Sequence, residues 1–294
     1  RLPFEPMDHR GLLGSKGAPT IGGVIAANVS GPRRIQVGAA RDFMLGVRFV
    51  DGTGAIIKNG GRVMKNVTGY DLVKLMTGSY GTLGVITEVS LKVLPKSDSA
   101  GCVVVHGLED SDAIKALAAA LGSPYDVSGA AHIPQAKDRD AITMVRVEGF
   151  EGSVAYRLQQ VSEVLSRFGP PEQLSDPHDV AARWADVRDV APFHGKGGDV
   201  WRISVKPSDA PALVSSIKHD DALYDWGGGL VWLLVPAGTD VRAQVANVGG
   251  HATRVRGGGS TPVFQPENDV LTTISAGLRA KFDPRGILNP GLMG

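Results

Sequence analysis

The segment 22–31 (GGVIAANVSG) constrains this chain more than any other stretch of its sequence. It opens with two adjacent glycines, continues with small residues and ends at Gly31, with Asn28 between them. Because this segment carries so few bulky side chains, a flat or charged group can come into van der Waals contact with its main chain. Backbone N–H groups left free in such a turn can point at phosphate oxygens. The glycine pattern alone is a weak signal, and an ordinary glycine-rich turn explains it equally well.

Length and composition predict a two-domain protein without a metal centre. The 294 residues exceed the usual size of one domain, and 43% hydrophobic content suffices for proper cores. The 31 Lys and Arg residues balance 30 Asp and Glu residues, which argues against nucleic acid or an anionic membrane as the main partner. The single cysteine, Cys102, excludes an internal disulfide and a cysteine-ligated zinc or iron–sulfur site within the chain. No apolar run reaches the ~18 residues of a membrane span, and no signal peptide is recognisable, so we expect a cytoplasmic protein.

Hydrophobic periodicity predicts the elements of the N-terminal part. Residues 1–20 show little periodicity and are expected to be irregular. A β-hairpin is predicted over 44–58, because two apolar runs flank an Asp-Gly-Thr-Gly turn. A short helix is predicted over 71–77 with Asp71 as its N-cap. A long strand is predicted over 84–94.

The region 101–257 contains an internal repeat of element order. Strands and helices at 102–168 recur in the same order at 200–256, after a connecting helix at 178–189. This order predicts an antiparallel sheet with helices on one face, in a ferredoxin-like arrangement. An amphipathic helix is then predicted over 266–281, with these apolar residues on one face: Val270, Leu271, Ile274 and Leu278.

Four segments in a fixed order carry a resemblance to a known family. After 22–31 come 65–72 (KNVTGYDL), 78–90 (GSYGTLGVITEVS) and 282–291 (FDPRGILNPG). Together they resemble the FAD-linked oxidases of the vanillyl-alcohol oxidase type, the PCMH-type superfamily. The stretches 31–54 and 63–85 are most similar to the FAD-binding E subunits of bacterial glycolate oxidases.

The resemblance implies an α+β fold that combines a partial PCMH-type FAD-binding domain, its second subdomain, with a ferredoxin-like cap. The implied division is an FAD-binding domain at 1–98, a cap or substrate domain at 99–262, and a C-terminal helix and tail at 263–294 that returns to the FAD domain. In that family another subdomain precedes the glycine-rich segment. We expect that this sequence is truncated at its N-terminus and lacks that subdomain.

The resemblance also implies FAD as the cofactor and assigns residues to it. The implied contacts are Gly22, Gly23, Ala26, Ala27, Asn28, Gly31, Arg33, Arg41, Lys65, Gly69, Tyr70, Gly81, Gly84, Val85, Ile86 and Asn289. For Gly81 and Gly84 the alternative is a bend at the entry to a strand. For Tyr70 the alternative is packing at the start of a helix.

Oxidation of a 2-hydroxy acid requires a cation for the carboxylate and a base for the hydroxyl proton. Arg202, in the predicted strand 200–205, is the candidate cation, and a solvated strand face is the alternative. Three further arginines are weighed as substrate cations, but contact with FAD phosphate or an ion pair with Asp42 is favoured for them: Arg33, Arg34 and Arg41.

Histidine supplies the candidate base, because its ordinary pKa lies near neutrality. His251, which begins the predicted strand 251–256, is the candidate, and a surface or structural histidine is the alternative. The seven histidines form no HxH or HExxH pattern, so no metal site is expected.

The implied function is that of an FAD-binding subunit of a glycolate oxidase complex, which oxidises glycolate to glyoxylate by hydride transfer to flavin. The implied partners are a homologous larger flavoprotein subunit, an iron–sulfur subunit and a small 2-hydroxy-acid substrate, and the complex is expected in the cytoplasm or peripheral at the inner membrane. Two alternatives stay open: a non-catalytic electron-relay or assembly subunit, and a stand-alone FAD-linked oxidase of another 2-hydroxy acid or alcohol.

Overall fold

The computed structural model describes residues 1–63, 69–137 and 139–293. Within these ranges the chain forms a three-stranded sheet from residues 44–91 and an eight-stranded sheet from residues 99–256. Helices accompany both antiparallel sheets, and the expected α+β fold class is confirmed.

The three-stranded sheet and its helices occupy the N-terminal part of the chain. In chain order the elements are α1 (His9–Leu13), α2 (Ile21–Ala26), α3 (Arg34–Val37), β1 (Met44–Val50), β2 (Ile56–Gly60), α4 (Leu72–Met76) and β3 (Val85–Leu91). The sheet order is β2-β1-β3, and β1 pairs antiparallel with both neighbours. The predicted hairpin is confirmed, and Asp71 caps α4 by accepting a hydrogen bond from the Lys74 amide at 3.0 Å.

The glycine-rich segment forms a short helix, where a turn was expected. The Thr20 hydroxyl caps α2 by accepting a hydrogen bond from the Gly23 amide at 3.1 Å. The chain then turns at Asn28, which adopts a left-handed φ of 49° and accepts a hydrogen bond from the Arg41 amide at 3.0 Å. The small residues therefore line a helix surface. The preceding segment, expected to be irregular, contains α1, which Asp8 caps.

The eight-stranded sheet holds the remaining strands. Its elements are β4 (Ser99–His106), α5 (Asp110–Leu121), β5 (Val127–Ile133), β6 (Ile142–Gly149), α6 (Glu151–Leu165), β7 (Pro171–Leu174), α7 (Pro177–Arg188), β8 (Asp199–Ser204), α8 (Ala210–Ser216), β9 (Asp221–Asp225), β10 (Leu230–Val235), α9 (Arg242–Asn247) and β11 (His251–Arg256). A final helix, α10 (Asp269–Phe282), follows the sheet.

The sheet is built from two halves of the same topology. The first half runs β5-β6-β4-β7 across the sheet, and the second runs β9-β10-β8-β11. The short strand β7 completes the first half and was not expected from the sequence. Each half has the strand–helix–strand–strand–helix–strand order of a ferredoxin-like unit.

The two faces of this sheet are covered differently. Residues from α5, α6, α8 and α9 form one core against the first face, which includes Trp201 and Leu233. The second face packs against α7 and the N-terminal segment through residues such as Leu12, Trp184 and Phe193. Because side chains alternate along a strand, Arg202 lies on the opposite face of β8 from Trp201.

One register pair, His132 with Tyr224, joins the two halves between β5 and β9. Side chains reinforce this seam. The Tyr224 hydroxyl donates to Asp110 Oδ2 at 2.5 Å, and His132 Nε2 lies 3.2 Å from Asp110 Oδ1. The other ring nitrogen of His132, Nδ1, lies 2.9 Å from the Thr143 hydroxyl.

A buried ion-pair network ties the N-terminal segment to the first half of the sheet. Its members are Glu5, Arg33, Arg146 and Glu148. Arg146 Nη2 donates to Glu5 Oε2 at 2.7 Å, and Arg33 Nη2 donates to Glu148 Oε1 at 2.5 Å. Burial alone would raise the pKa of Glu148, but Arg146 and Arg33 outweigh it and lower that pKa to about 2. Arg33 was expected at the cofactor; its side chain instead pairs within this network, and the residue is only 3% exposed.

Candidate functional site

A cavity of about 650 Å³ separates α2 from the second face of the eight-stranded sheet. Gly23 and Ala27 contribute its α2 side, and Tyr80 contributes from the turn after α4. Arg202 on β8 and His251 on β11 face them from the sheet. This volume is typical of a small-molecule site, and the sequence-predicted substrate candidates meet the predicted cofactor segment there.

The turn after α4 holds a strained residue that sequence reasoning missed. Tyr80 has a left-handed φ of 52°, which a bulky aromatic residue rarely adopts. Its amide donates to the Ala26 carbonyl at 2.8 Å, and its carbonyl accepts from Asn289 Nδ2 at 2.7 Å. Its ring packs edge-on against Phe264 with centroids 4.7 Å apart. The C-terminal motif therefore fixes the cavity wall, and the glycines around Tyr80 in the sequence were the available signal.

Arg202 has no carboxylate partner. Its guanidinium carbon lies 5.0 Å from the centroid of the Trp226 ring. Within the ranges that the structure describes, the Arg202 side chain makes no hydrogen bond or ion pair. Burial lowers the pKa of Arg202, and the nearby charge of Arg34 lowers it further. Arginine stays protonated in proteins despite such shifts, so Arg202 presents an uncompensated positive charge to the cavity.

Two histidines lie beside this charge. Burial lowers the pKa of His251, and the positive charge of Arg202 adds to the effect. His9 on α1 also lines the cavity, and burial lowers its pKa as well. Both imidazoles are therefore neutral at neutral pH and can accept a proton. His9 was missed because its segment showed no periodicity.

The charge of the cavity lining is one-sided. Four arginines line it, and no aspartate or glutamate does so among residues 1–63, 69–137 and 139–293. Arg10 is paired with Asp8, and the Arg254 guanidinium donates to the carbonyls of Gly258 and Thr261. The side chains of the other two, Arg34 and Arg202, have no hydrogen-bond acceptor within the described ranges. The lining thus favours an anionic ligand.

Several predicted cofactor residues lie next to the cavity rather than in its lining. Gly22 faces β3, since a Cβ there would lie 3.7 Å from the Ile86 carbonyl oxygen. Gly81 leaves room for Asn289, because its Cβ would lie 2.9 Å from that amide nitrogen. Ala26 contributes its carbonyl to the Tyr80 amide. These residues shape the backbone around the cavity.

Other predicted residues have structural surroundings. A Cβ on Gly31 would lie 2.1 Å from the Glu5 carbonyl oxygen, and the Gly31 carbonyl accepts from Trp226 Nε1 at 3.0 Å. A Cβ on Gly84 would lie 2.7 Å from the Phe49 ring, so this glycine serves close packing at the entry to β3. Arg41 is exposed, and Val85 is exposed on β3.

The loop before α4 lies at a different cavity. Gly69 and Tyr70 line a cavity of about 280 Å³ beside β1 and β2, and Tyr70 is 87% exposed. Lys65 belongs to the same predicted group but lies outside the described residues. The structure therefore does not bring Tyr70 to the cavity that contains Arg202.

The described part of the chain contains no cluster of three His, Cys, Asp or Glu side chains suited to a metal ion. Burial raises the pKa of the Cys102 thiol to about 11, so this cysteine is inert. Among the described helices, none combines the length and apolar character needed to cross a bilayer.

Proteins with similar sequences include a glycolate oxidase subunit and an FAD-linked oxidoreductase. The chain is 38% identical over 296 residues to glycolate oxidase subunit GlcE of Escherichia coli strain K12, covering 99% of this chain and 75% of that protein. It is 26% identical over 318 residues to an uncharacterized FAD-linked oxidoreductase of Mycobacterium tuberculosis, covering 93% of this chain and 69% of the relative. No family model matches the chain.

A solved alkyldihydroxyacetonephosphate synthase shares the fold with a TM-score of 0.65 at 17% identity, over 92% of this chain. This chain spans 58% of the length of that synthase. Fold and sequence together define an FAD-linked oxidoreductase of the α+β class. Within that class, the chain belongs to the family of the glycolate oxidase subunit GlcE.

Proposed function

We propose that this chain is the FAD-binding subunit of a glycolate oxidase and takes part in oxidising glycolate to glyoxylate. The observation that carries the proposal is one cavity that joins the small-residue wall of α2 to Arg202 and His251. Family membership supports the same reaction class, since the relatives are named as a glycolate oxidase subunit and an FAD-linked oxidoreductase.

The residues of the cavity fit FAD. Gly23, Ala27 and Gly78 leave the main chain accessible to a flat ring along one wall. Arginines line the cavity and, among the described residues, no carboxylate does so, which suits a phosphate-bearing cofactor. Gly23, Ala27 and Asn28 would hold the cofactor together with the turn that contains Tyr80. Bound FAD supplies the hydride acceptor.

Arg202 binds the substrate in this proposal, and His251 is the general base. The planar guanidinium of Arg202 binds the substrate carboxylate through two parallel hydrogen bonds, which fixes the orientation of the α-carbon. The neutral imidazole of His251 accepts the proton of the substrate hydroxyl. Burial, together with the charge of Arg202, lowers the pKa of His251 and so favours its unprotonated form before that step. Trp232 and Phe264 add apolar surface to the lining of the same cavity.

The first test is the absorbance spectrum of the chain after incubation with FAD and desalting. We expect a flavin band that survives desalting and bleaches when glycolate is added without oxygen. An R202Q variant should retain the band and lose the bleaching. Arg167, which lies over the Phe168 ring away from the cavity, provides the control variant R167Q. A retained band that no 2-hydroxy acid bleaches would contradict the proposed reaction.

We further propose that the chain works within a complex, beside a homologous larger flavoprotein subunit and an iron–sulfur subunit, in the cytoplasm or peripheral at the inner membrane. The apolar side chains of α10 support an assembly surface, because Val270 is 69% exposed and Ile274 is 55% exposed. Co-purification of the three subunits, compared with a chain carrying I274E, tests this. An unchanged yield of complex with I274E would place the interface elsewhere. Unchanged turnover of the complex with R202Q would favour a relay or assembly role.

A further inference from the structure

A strained tryptophan organises the positive charges of the cavity. Trp226 has a left-handed φ of 53°, and its ring is fixed because Nε1 donates to the Gly31 carbonyl at 3.0 Å. The guanidinium carbon of Arg34 lies 4.4 Å from the ring centroid, and that of Arg202 lies 5.0 Å from it. One aromatic ring therefore holds an arginine from α3 and an arginine from β8 close together.

The acidic side chains near Arg34 and Arg202 are hydrogen-bonded to other groups. Within the described ranges, neither Arg34 nor Arg202 has a carboxylate within ion-pair distance. The side chain of Asp42 accepts from the Ala39 amide at 2.8 Å, so it is engaged within its own turn. Asp225 accepts from the Trp226 amide at 2.7 Å, and burial raises its pKa to about 7. Two like charges in a partly buried site are unfavourable until anions neutralise them.

A single carboxylate leaves this arrangement half satisfied. The fork of one guanidinium matches one carboxylate, so glycolate engages Arg202 and leaves the charge of Arg34 unpaired. A ligand with a second negative group satisfies both. We propose, resting on the function proposed above, that Arg34 and Arg202 form a two-carboxylate subsite and that the cavity takes short 2-hydroxydicarboxylic acids. Arg202 binds the carboxylate next to the hydroxyl group, and Arg34 binds the distal one.

Unreactive anions test the subsite without requiring turnover. The FAD-treated chain is titrated calorimetrically with succinate, which carries two carboxylates, and with propionate, which carries one. We expect succinate to bind tighter by on the order of tenfold, because a charge-assisted hydrogen bond is worth that much. R34Q should abolish the preference, R34K should keep part of it, and R167Q should retain it fully.

The opposing outcomes are distinct. Equal affinity for succinate and propionate in the unmodified chain, or no binding of either, overturns the subsite even if R34Q fails to fold. An unchanged preference in folded R34Q overturns it as well. If R34Q instead releases FAD on desalting and keeps the preference, Arg34 holds a cofactor phosphate. The proposed function fails separately, when the bound flavin of the unmodified chain is bleached by neither glycolate, malate nor 2-hydroxyglutarate.

Discussion

Two arginines on the same face of the eight-stranded sheet are stacked on tryptophans but have opposite surroundings. Arg146 lies 4.6 Å from the Trp184 ring centroid and is neutralised by Glu5 and Glu148. Arg202 lies 5.0 Å from the Trp226 ring centroid and has no carboxylate partner in the described part of the chain. The first half of the sheet uses its arginine to fasten the N-terminal segment. The second half leaves its arginine without an ion pair among the described residues, so pairing rather than residue type distinguishes the two arginines.

Removing the paired arginine should have the largest effect on stability. R146Q leaves the buried carboxylates of Glu5 and Glu148 short of a partner, and breaking a buried pair costs about 3–5 kcal/mol. Urea unfolding of R146Q should show a loss of that size, whereas R202Q should leave the free energy of unfolding nearly unchanged. Equal losses in the two variants would break the comparison.

Removing the unpaired arginine should have the largest effect on activity. R202Q leaves the substrate carboxylate without its charged partner, and a loss of about 2.7–4 kcal/mol corresponds to a rate reduced ~10²–10³-fold. Flavin reduction by the substrate, followed in a stopped-flow instrument, measures this rate. R202K should recover part of it, because lysine keeps the charge but loses the fork. A rate equal to that of R167Q would contradict the assignment.

Acid should weaken the ion-pair network that contains Glu148. The pKa of Glu148 falls from an ordinary 4.5 to about 2 in the folded chain. A lowered folded pKa contributes stability above the ordinary value and loses it as pH falls toward the folded one. The free energy of unfolding should therefore decrease between pH 4.5 and about 2. E148Q should flatten this decrease, whereas the exposed E163Q should not.

Catalysis should tolerate mild acid if His251 is the base. Burial and Arg202 lower the pKa of His251 below its ordinary 6.5, so the neutral form persists below that pH. The rate of flavin reduction should therefore fall only at a lower pH than it would with a histidine of the ordinary pKa 6.5. H251N should lower the rate and remove the fall. An unchanged profile in H251N would transfer the role to His9, whose pKa is lowered by burial too.

The smallest expected effect concerns the cavity wall. N289A removes the 2.7 Å hydrogen bond to the strained Tyr80 carbonyl and should cost about 1 kcal/mol. Thermal unfolding measures the loss, and N247A on α9 is the control. If N289A lost as much free energy of unfolding as R146Q, the cavity wall would contribute as much to stability as the ion-pair network does.

Local patterns in the sequence accounted for most elements, because periodicity and caps are local properties. The hairpin at β1 and β2 and the Asp71 cap are examples. The short helix α2 was missed because glycines disfavour a helix interior, and the Thr20 cap and tertiary packing override that preference. Strand β7, with only four residues beside β4, carries too little alternation to be recognised.

The candidate site was predictable only in part. Arg202 and His251 were identified from their strands, and the structure brings both to one cavity. Arg33 and Arg34 are neighbours and look equivalent in the sequence, yet their side chains have different long-range partners. Glu5 and Glu148 bind Arg33, whereas Trp226 receives Arg34. Such pairings join residues far apart in the chain, which local patterns do not reveal.

The seam between β5 and β9 has a consequence for how the sheet responds to heat. A single register pair supplies few ladder hydrogen bonds, so the two halves could melt as separate cooperative units. The bonds from Asp110 to Tyr224 and His132 couple them through side chains instead. With those three residues in place, hydrogen exchange on both sides of the seam should report one shared opening event, and the cavity and the ion-pair network should be lost together.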